Sequence, residues 1–155
     1  MAEIVGICKR RGFVTPTVYE GIYNLLDRLV EDELFPCLRK FGIRYAAYTP
    51  LAGGYLSDRF FIPGSEGDAG VPLAKFDPKN KYSWFYTGRY FPMAPAVAEL
   101  LQVVKTHGLT LNEVALRWLQ WHSKLEPGDY GIIVAASRKE QLEITLADWY
   151  LRSML

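Results

Sequence analysis

The sequence contains few of the residues that build metal centres or disulfide frameworks. Among its 155 residues are two cysteines, Cys8 and Cys37, and two histidines, His107 and His122. Both cysteines fall in predicted helices without metal-ligand spacing, so we interpret them as reduced thiols of a cytosolic protein. The histidines fall near the ends of different predicted helices, which is not the arrangement of a Cys/His cluster. We therefore predict no metal site.

An excess of charge of one sign and a long apolar run are also missing. Lys and Arg total 18 against 17 Asp and Glu, which leaves a net charge of +1. This balance gives no electrostatic reason to expect nucleic acid or an anionic membrane as a partner. The first residues include an early acid and no long apolar run, so we expect neither a signal peptide nor a membrane span. The expected location is the cytoplasm.

The sequence does have ample material for a core, because 50% of its residues are hydrophobic. Two glycines, Gly12 and Gly42, each end a predicted helix. The first helix begins near the first residue, and the second lies within residues 24–41. Predicted strands follow at Phe13–Gly21 and Ile43–Tyr48. Two such units in succession, 30 residues apart, are typical of β/α repeats with parallel strands.

The second half begins with a segment that has no periodicity. We treat residues 1–155 as one domain and 57–92 as a long loop or lid within it. The many aromatic residues of this segment either dock on the rim of the fold or line an apolar substrate pocket.

Regular elements return after this segment. A helix over Ala94–His107 and a capping box at Thr110–Glu113, opening a helix to about residue 124, are predicted. Trp121 is expected in the core. A short strand at Gly131–Ala135 and a second capping box at Ser137–Glu140, opening the last helix, complete the pattern.

The start of the last helix has charges of the unfavourable sign for a helix N-terminus. Arg138 and Lys139 place two cations at the positive end of the helix dipole, where each costs a few tenths of a kcal/mol. A bound phosphate would resolve this conflict. Alternatively, Glu140 and Glu143 neutralise the turn and the cations are solvated. The spacing alone leaves both interpretations open.

One apolar strand is followed at once by a loop rich in small residues. Tyr48-Thr49-Pro50-Leu51-Ala52-Gly53-Gly54, preceded by Thr15-Pro16-Thr17-Val18-Tyr19-Glu20-Gly21-Ile22-Tyr23-Asn24, resembles the aldo-keto reductases. The similarity points to the aflatoxin-aldehyde reductase subgroup and its fungal relatives. It extends from about residue 3 to 146 but corresponds to the C-terminal half of such an enzyme.

This resemblance implies an α/β fold, namely the C-terminal portion of a (β/α)8 TIM barrel with about three parallel strands and flanking helices. The implied activity is NADPH-dependent reduction of an aldehyde or ketone, with NADP and a carbonyl substrate as ligands, and in fungi often within secondary metabolism. The catalytic tetrad of the family comes from the N-terminal half. We therefore expect an incomplete barrel that has no catalytic residue of its own and is inactive alone.

The resemblance also assigns cofactor contacts near the nicotinamide. Tyr48 corresponds to the aromatic residue that stacks on the nicotinamide ring. Thr49, Leu51 and Gly53 correspond to the loop along the pyrophosphate. Glu20 stands where the family usually has a glutamine that binds the carboxamide, and a carboxylate cannot donate to the carboxamide oxygen.

At the adenosine end, Ser137 and Arg138 correspond to residues that contact the 2′-phosphate. Gln141 stands in the place of an adenine-stacking arginine, and Thr145 in that of an asparagine at the adenine edge. We therefore expect this chain to retain the family's phosphate contacts more fully than its adenine contacts.

Two alternatives to an enzyme fragment stay open. The first is a non-catalytic remnant that binds a nucleotide or a partner protein, and the second is an unrelated α/β domain. In either case three parallel strands would leave unpaired edges, through which we expect self-association.

Overall fold

The computed structural model describes residues 1–61, 75–136 and 138–150. Within these ranges three strands, β1 (Val18–Ile22), β2 (Arg44–Tyr48) and β3 (Gly131–Ile133), form one parallel sheet in the order β1-β2-β3. The flanking α-helices of the described residues are α1 (Ala2–Arg11), α2 (Leu34–Lys40), α3 (Asp58–Phe61), α4 (Ser83–Tyr90), α5 (Ala94–Thr106), α6 (Leu111–Arg117) and α7 (Lys139–Tyr150). None of them has the length and apolar character needed to span a bilayer.

The predicted helix–glycine–strand units are confirmed. Gly12 follows α1 with φ of 67°, and Gly42 follows α2 with φ of 66°, the left-handed conformation that glycine adopts without steric cost. β1 pairs with β2 in parallel, and β2 pairs with β3 in parallel. This is the sheet of a partial (β/α) barrel.

The first strand is shorter than predicted. It begins at Val18 rather than Phe13, and the segment before it is exposed, with Val14 93% accessible. Pro16 has no N–H to donate to a neighbouring strand, which is one reason why pairing starts only beyond it. β3 also ends early, at Ile133.

The second helix is shorter as well. It covers Leu34–Lys40, and residues 24–33 form turns instead of the predicted helical entry near Asp27. The reason lies in buried polar side chains, since Asn24 and Asp27 are both buried and hydrogen-bonded to residues far along the chain. Such long-range bonds override local helix propensity.

The capping box at Thr110 is confirmed, but the helix that it opens is not regular throughout. The Thr110 hydroxyl accepts from the Glu113 N–H at 3.1 Å, and the Glu113 carboxylate accepts from the Thr110 N–H at 3.2 Å. After α6 the chain forms a π-helical turn over Trp118–His122. The prediction that Trp121 lies in the core is wrong, because its side chain is 61% exposed. A π turn changes the angular spacing of the residues it contains, so the α-helical period no longer applies there.

The core has two parts. In the first, one face of the sheet packs against α1 and α2, and its buried residues are Val5, Tyr23, Phe35, Leu38, Ile43, Tyr45, Ala47 and Leu119. In the second, the segment after β2 packs against α4, α5 and α6, and its buried residues are Ala52, Tyr55, Leu56, Phe76, Tyr90, Val97, Leu101, Val104, Leu111 and Ala115. The segment 57–92 therefore contributes to the core at both of its described ends, while 62–74 lie outside the described residues. That it acts as a lid stays a prediction.

An ion pair between a buried carboxylate and a half-buried guanidinium links the elements at the amino-terminal edge of the sheet. The Arg39 guanidinium donates to both carboxylate oxygens of Asp129, at 2.7 and 2.6 Å. The same carboxylate accepts from the backbone N–H of Tyr45 at 2.8 Å and of Glu126 at 2.9 Å. Asp129 thus connects α2, β2 and the turn before β3, at the edge opposite to that where barrel active sites lie.

Candidate functional site

The carboxyl ends of the three strands lie at one edge of the sheet. Tyr48, the last residue of β2, is in register with Ile22 of β1 and Ile133 of β3. Because side chains alternate along a strand, Glu20, Tyr48 and Ile133 share the face that does not pack against α1 and α2. We call these three residues the open face. Glu20 and Ile133 are exposed there, and Tyr48 is half-buried.

The loop that leaves β2 has a strained backbone. Thr49 has φ of 61° and Ala52 has φ of 51°, values that residues with a Cβ adopt at a cost of roughly 1 to 2 kcal/mol each. Asn24 offsets part of this cost, since its side-chain N–H donates to the Thr49 carbonyl at 3.1 Å. Such strain, held by surrounding structure, is typical of functional loops.

Asn24 also connects this loop to α4. Its amide donates to the Tyr90 hydroxyl at 3.3 Å, and its oxygen accepts from the backbone N–H of Leu26 and Asp27 at 3.0 and 2.9 Å. Next to it, Asp27 forms an ion pair with Arg89 of α4. This network was not predicted from the sequence. Asn24 was part of the motif that carried the family resemblance, but nothing local indicated its partners.

Two features of the structure explain why position 53 is a glycine. Its φ is 72°, and a Cβ at this position would lie 2.7 Å from the Tyr86 ring. The Lys75 ammonium lies 5.0 Å from the centre of the same ring. The ring of Tyr86 and the loop of Gly53 are therefore packed closely, which places α4 beside the loop that follows Tyr48.

Some aromatic residues of the segment 57–92 have the predicted docking role, and the role of the others in a substrate pocket stays a prediction. Phe76 and Tyr90 are buried against Tyr55, so they dock the segment onto the fold. Others line a pocket of about 280 Å³, whose described lining is Lys75, Asn80, Tyr82, Trp84, Phe85 and Tyr86. The pocket shares Lys75 and Tyr86 with the surroundings of Gly53.

Two tyrosine hydroxyls differ in their surroundings. Burial raises the pKa of Tyr48, the neighbouring Tyr86 and Glu20 raise it further, and Arg89 lowers it. Burial raises the pKa of Tyr23 to about 12. The Tyr23 hydroxyl donates to the Glu31 carboxylate at 2.8 Å and accepts from the Lys124 N–H at 2.9 Å, within the helix-side core. It is therefore engaged away from the open face.

The helix that follows β3 carries the predicted adenosine contacts. Arg138, Gln141 and Thr145 are three and four residues apart, which puts them on one side of the helix start. The Thr145 hydroxyl donates to the Gln141 carbonyl at 2.8 Å. Lys139 forms an exposed ion pair with Glu143 at 3.2 Å, within the helix. Ser137 lies outside the described residues.

No metal centre is found in the part of the chain that the structure describes. His107 and His122 are exposed, both cysteines are free thiols, and no group of three or more His, Cys, Asp or Glu has suitable geometry there.

Comparison with known proteins identifies the family. The model of the Aldo/keto reductase family matches residues 1–152, so the chain belongs to this family, whose members bind a nicotinamide cofactor and carbonyl substrates. It is 38% identical to an aldo-keto reductase of Pseudocercospora fijiensis over 96% of this chain and 50% of the relative. It is 39% identical to aflatoxin B1 aldehyde reductase member 2 of Homo sapiens, over 95% of this chain and 42% of the relative.

A further fungal relative is the aldo-keto reductase pigE of Monascus ruber, 35% identical over 92% of this chain and 42% of that protein. The resemblance to aflatoxin-aldehyde reductases and fungal aldo-keto reductases is thereby confirmed. The chain spans about half the length of the curated relatives it matches.

Proposed function

We propose that this chain forms the NADP-binding wall of an aldo-keto reductase that reduces aldehydes or ketones. The observation that carries the proposal is the parallel register, which brings Tyr48, the Thr49–Gly53 loop and the start of α7 to one edge of the sheet. Bound NADPH would supply the hydride. Cofactors bind at this edge in open and closed parallel sheets alike.

The residues at this edge suit a dinucleotide. The half-buried Tyr48 offers a ring to a flat nicotinamide, and its raised pKa keeps the hydroxyl neutral at physiological pH. Thr49, Leu51 and Gly53 follow as the proposed pyrophosphate loop. Arg138 and the N–H groups at the start of α7 are the proposed donors for a 2′-phosphate, and Gln141 and Thr145 lie beyond them at the proposed adenine position. Ser137 belongs to the same proposed set.

The reaction needs more than this chain offers at the open face. Hydride transfer to a carbonyl requires a proton donor, and in this family the resemblance places that donor in the half of the barrel that the chain does not match. We propose that the 155-residue chain alone is inactive and self-associates through the edges of β1 and β3 that no described strand covers. Free thiols at Cys8 and Cys37 favour the cytosol as its compartment.

A non-catalytic nucleotide-binding protein is the second candidate. This candidate is favoured because the cofactor-binding residues and the proton donor belong to different halves of the barrel. A chain with only the cofactor-binding residues can still bind a nucleotide. For the enzyme, we include a role in fungal secondary metabolism in the proposal. We place its carbonyl substrate beside Tyr86.

Calorimetry of the 155-residue chain with NADPH and with NADH tests cofactor binding. We expect NADPH to bind more tightly by about 1 to 3 kcal/mol, the range for hydrogen bonds to charged groups. Arg138→Ala should remove most of this preference. Arg11→Ala, at an exposed basic position on α1, is the matched control and should leave it unchanged. Equal affinities for NADPH and NADH would reject the phosphate assignment.

A further inference from the structure

One acidic side chain lies beside the proposed nicotinamide position. Glu20 pairs in register with Ala46, and Tyr48 lies two residues further along β2 on the same face. Diagonal positions of this kind on a sheet are about 7 to 8 Å apart, within reach of a long side chain. A flat ring bound against Tyr48 at the open face would therefore have the exposed Glu20 carboxylate as a near neighbour.

Three described cations near this position are each engaged with another group, and one of them, Lys75, has its ammonium 5.0 Å from the centre of the Tyr86 ring. Arg89 lies close enough to influence Tyr48, but its charge is balanced by the ion pair with Asp27. Arg44 lies four residues earlier on β2, toward the opposite edge of the sheet, where its guanidinium sits over the ring of Tyr130. The electrostatic effect of Glu20 is also seen on Tyr48, whose pKa it helps to raise.

We propose that Glu20 makes this site prefer oxidised NADP+ to reduced NADPH, an inference that rests on the proposed function. The nicotinamide ring is positively charged in NADP+ and neutral in NADPH, while the pyrophosphate and the 2′-phosphate are common to both. A neighbouring carboxylate therefore stabilises only the oxidised form. A glutamine at this position would carry no charge and would not distinguish the two forms in this way.

The experiment measures dissociation constants of NADP+ and NADPH for the 155-residue chain, by the quenching of its tryptophan fluorescence. In Glu20→Gln the ratio Kd(NADPH)/Kd(NADP+) should fall by about 3- to 10-fold, the effect of one unit charge at this separation near a protein surface. Glu20→Lys should lower the ratio further. The difference between the unchanged chain and Glu20→Gln should shrink in 0.5 M salt, because exposed charges are screened.

Glu99→Gln, which removes an exposed carboxylate on α5, is the control and should leave the ratio unchanged. A ratio that is also unchanged in Glu20→Gln and Glu20→Lys, while both nucleotides still bind, would overturn the inference and leave the proposed function standing. An equal loss of affinity for both nucleotides in Glu20→Gln would show that Glu20 acts through its geometry and not its charge. This result would also overturn the inference. Failure of the unchanged chain to bind either nucleotide would remove the proposed function and this inference together.

Discussion

The side chain of Asn24 donates a hydrogen bond to the backbone carbonyl of Thr49, 3.1 Å away, and so joins the end of β1 to the end of β2. Asn24 is 0% exposed, and both its nitrogen and its oxygen are engaged. The bond holds Thr49 at its positive φ. The geometry of the candidate site thus depends on a fully buried side chain.

Asn24→Ala is expected to destabilise the fold by about 1 to 3 kcal/mol. The Thr49 carbonyl keeps the Ala52 N–H as a donor, and the Asp27 N–H keeps the Asn24 carbonyl. The main loss is therefore the side-chain bond to the Leu26 N–H, at roughly 1 to 3 kcal/mol. Denaturant unfolding followed by circular dichroism measures the change. Asn112→Ala on α6, a half-buried asparagine, serves as the control, with an expected change within about 0.5 kcal/mol. A similar cost in both variants would contradict the role given to Asn24.

What could be predicted from the sequence was local. The glycine-terminated helices, β2 and the capping box at Thr110 depend on neighbouring residues, and the structure confirms them. The turns over residues 24–33 could not be predicted, because they depend on bonds from Asn24 to Tyr90 and from Asp27 to Arg89 that join distant parts of the chain. In the same way, the residues of the open face are brought together by the register of the strands, which could not be predicted from the sequence.

The shared position of the site residues was predictable in part. Parallel β/α units end their strands at one edge, so Tyr48 and the residues after β3 were expected together, and the register of Tyr48 with Ile133 agrees. The contribution of α4 was not anticipated, since no period marks residues 83–90. Tyr86 reaches Gly53 from α4, which the Arg89–Asp27 ion pair and the buried Tyr90 hold beside the loop.

Asp129 should make stability depend on pH. Burial alone would raise the pKa of its carboxyl, but the Arg39 guanidinium and the N–H groups of Glu126 and Tyr45 hold that pKa below its ordinary value. A carboxyl with a lowered folded-state pKa stabilises the fold above its unfolded pKa of about 3.9, and the contribution is lost as the pH falls through the folded value.

Asp129→Asn is therefore expected to cost about 1 to 3 kcal/mol at pH 7, less than breaking a fully buried ion pair, because Arg39 is partly exposed and keeps Glu126 as a partner. The difference from the unchanged chain should shrink as the pH is lowered below about 4. Urea unfolding at several pH values measures both effects. A difference that stays constant down to pH 3 would show that the carboxylate charge is not responsible. Asp77→Asn, at a half-buried turn residue whose carboxylate accepts from the Lys79 N–H, is the control.

Tyr48 should act through its ring rather than its hydroxyl. Tyr48→Phe keeps the ring and should bind NADPH within about twofold of the unchanged chain, whereas Tyr48→Ala should bind roughly 3- to 10-fold more weakly, as expected for one lost aromatic contact. Because the pKa of Tyr48 is raised, its hydroxyl stays protonated and the affinity should not change with its ionisation between pH 6 and 9. Fluorescence titration measures these affinities. Equal losses in the two variants would assign the contact to the hydroxyl.

The 155-residue chain alone should neither reduce aldehydes nor remain monomeric. β1 and β3 each lack a second neighbour among the described strands, and apolar side chains near them, such as Phe13, Val14 and Ile133, are exposed. Free edges beside apolar surface favour association with another chain. Light scattering measures the size of the purified chain, and absorbance follows NADPH oxidation with 4-nitrobenzaldehyde.

A second polypeptide could cover these edges, but it would restore reduction only if it brought a proton donor to the nicotinamide beside Tyr48. The outcome that contradicts this prediction is a compact monomer with clear turnover. The proton donor would then have to come from this chain. Tyr23 and Tyr48 would be the first to replace with phenylalanine, although the bonds of Tyr23 to Glu31 and Lys124 make Tyr48 the better of the two.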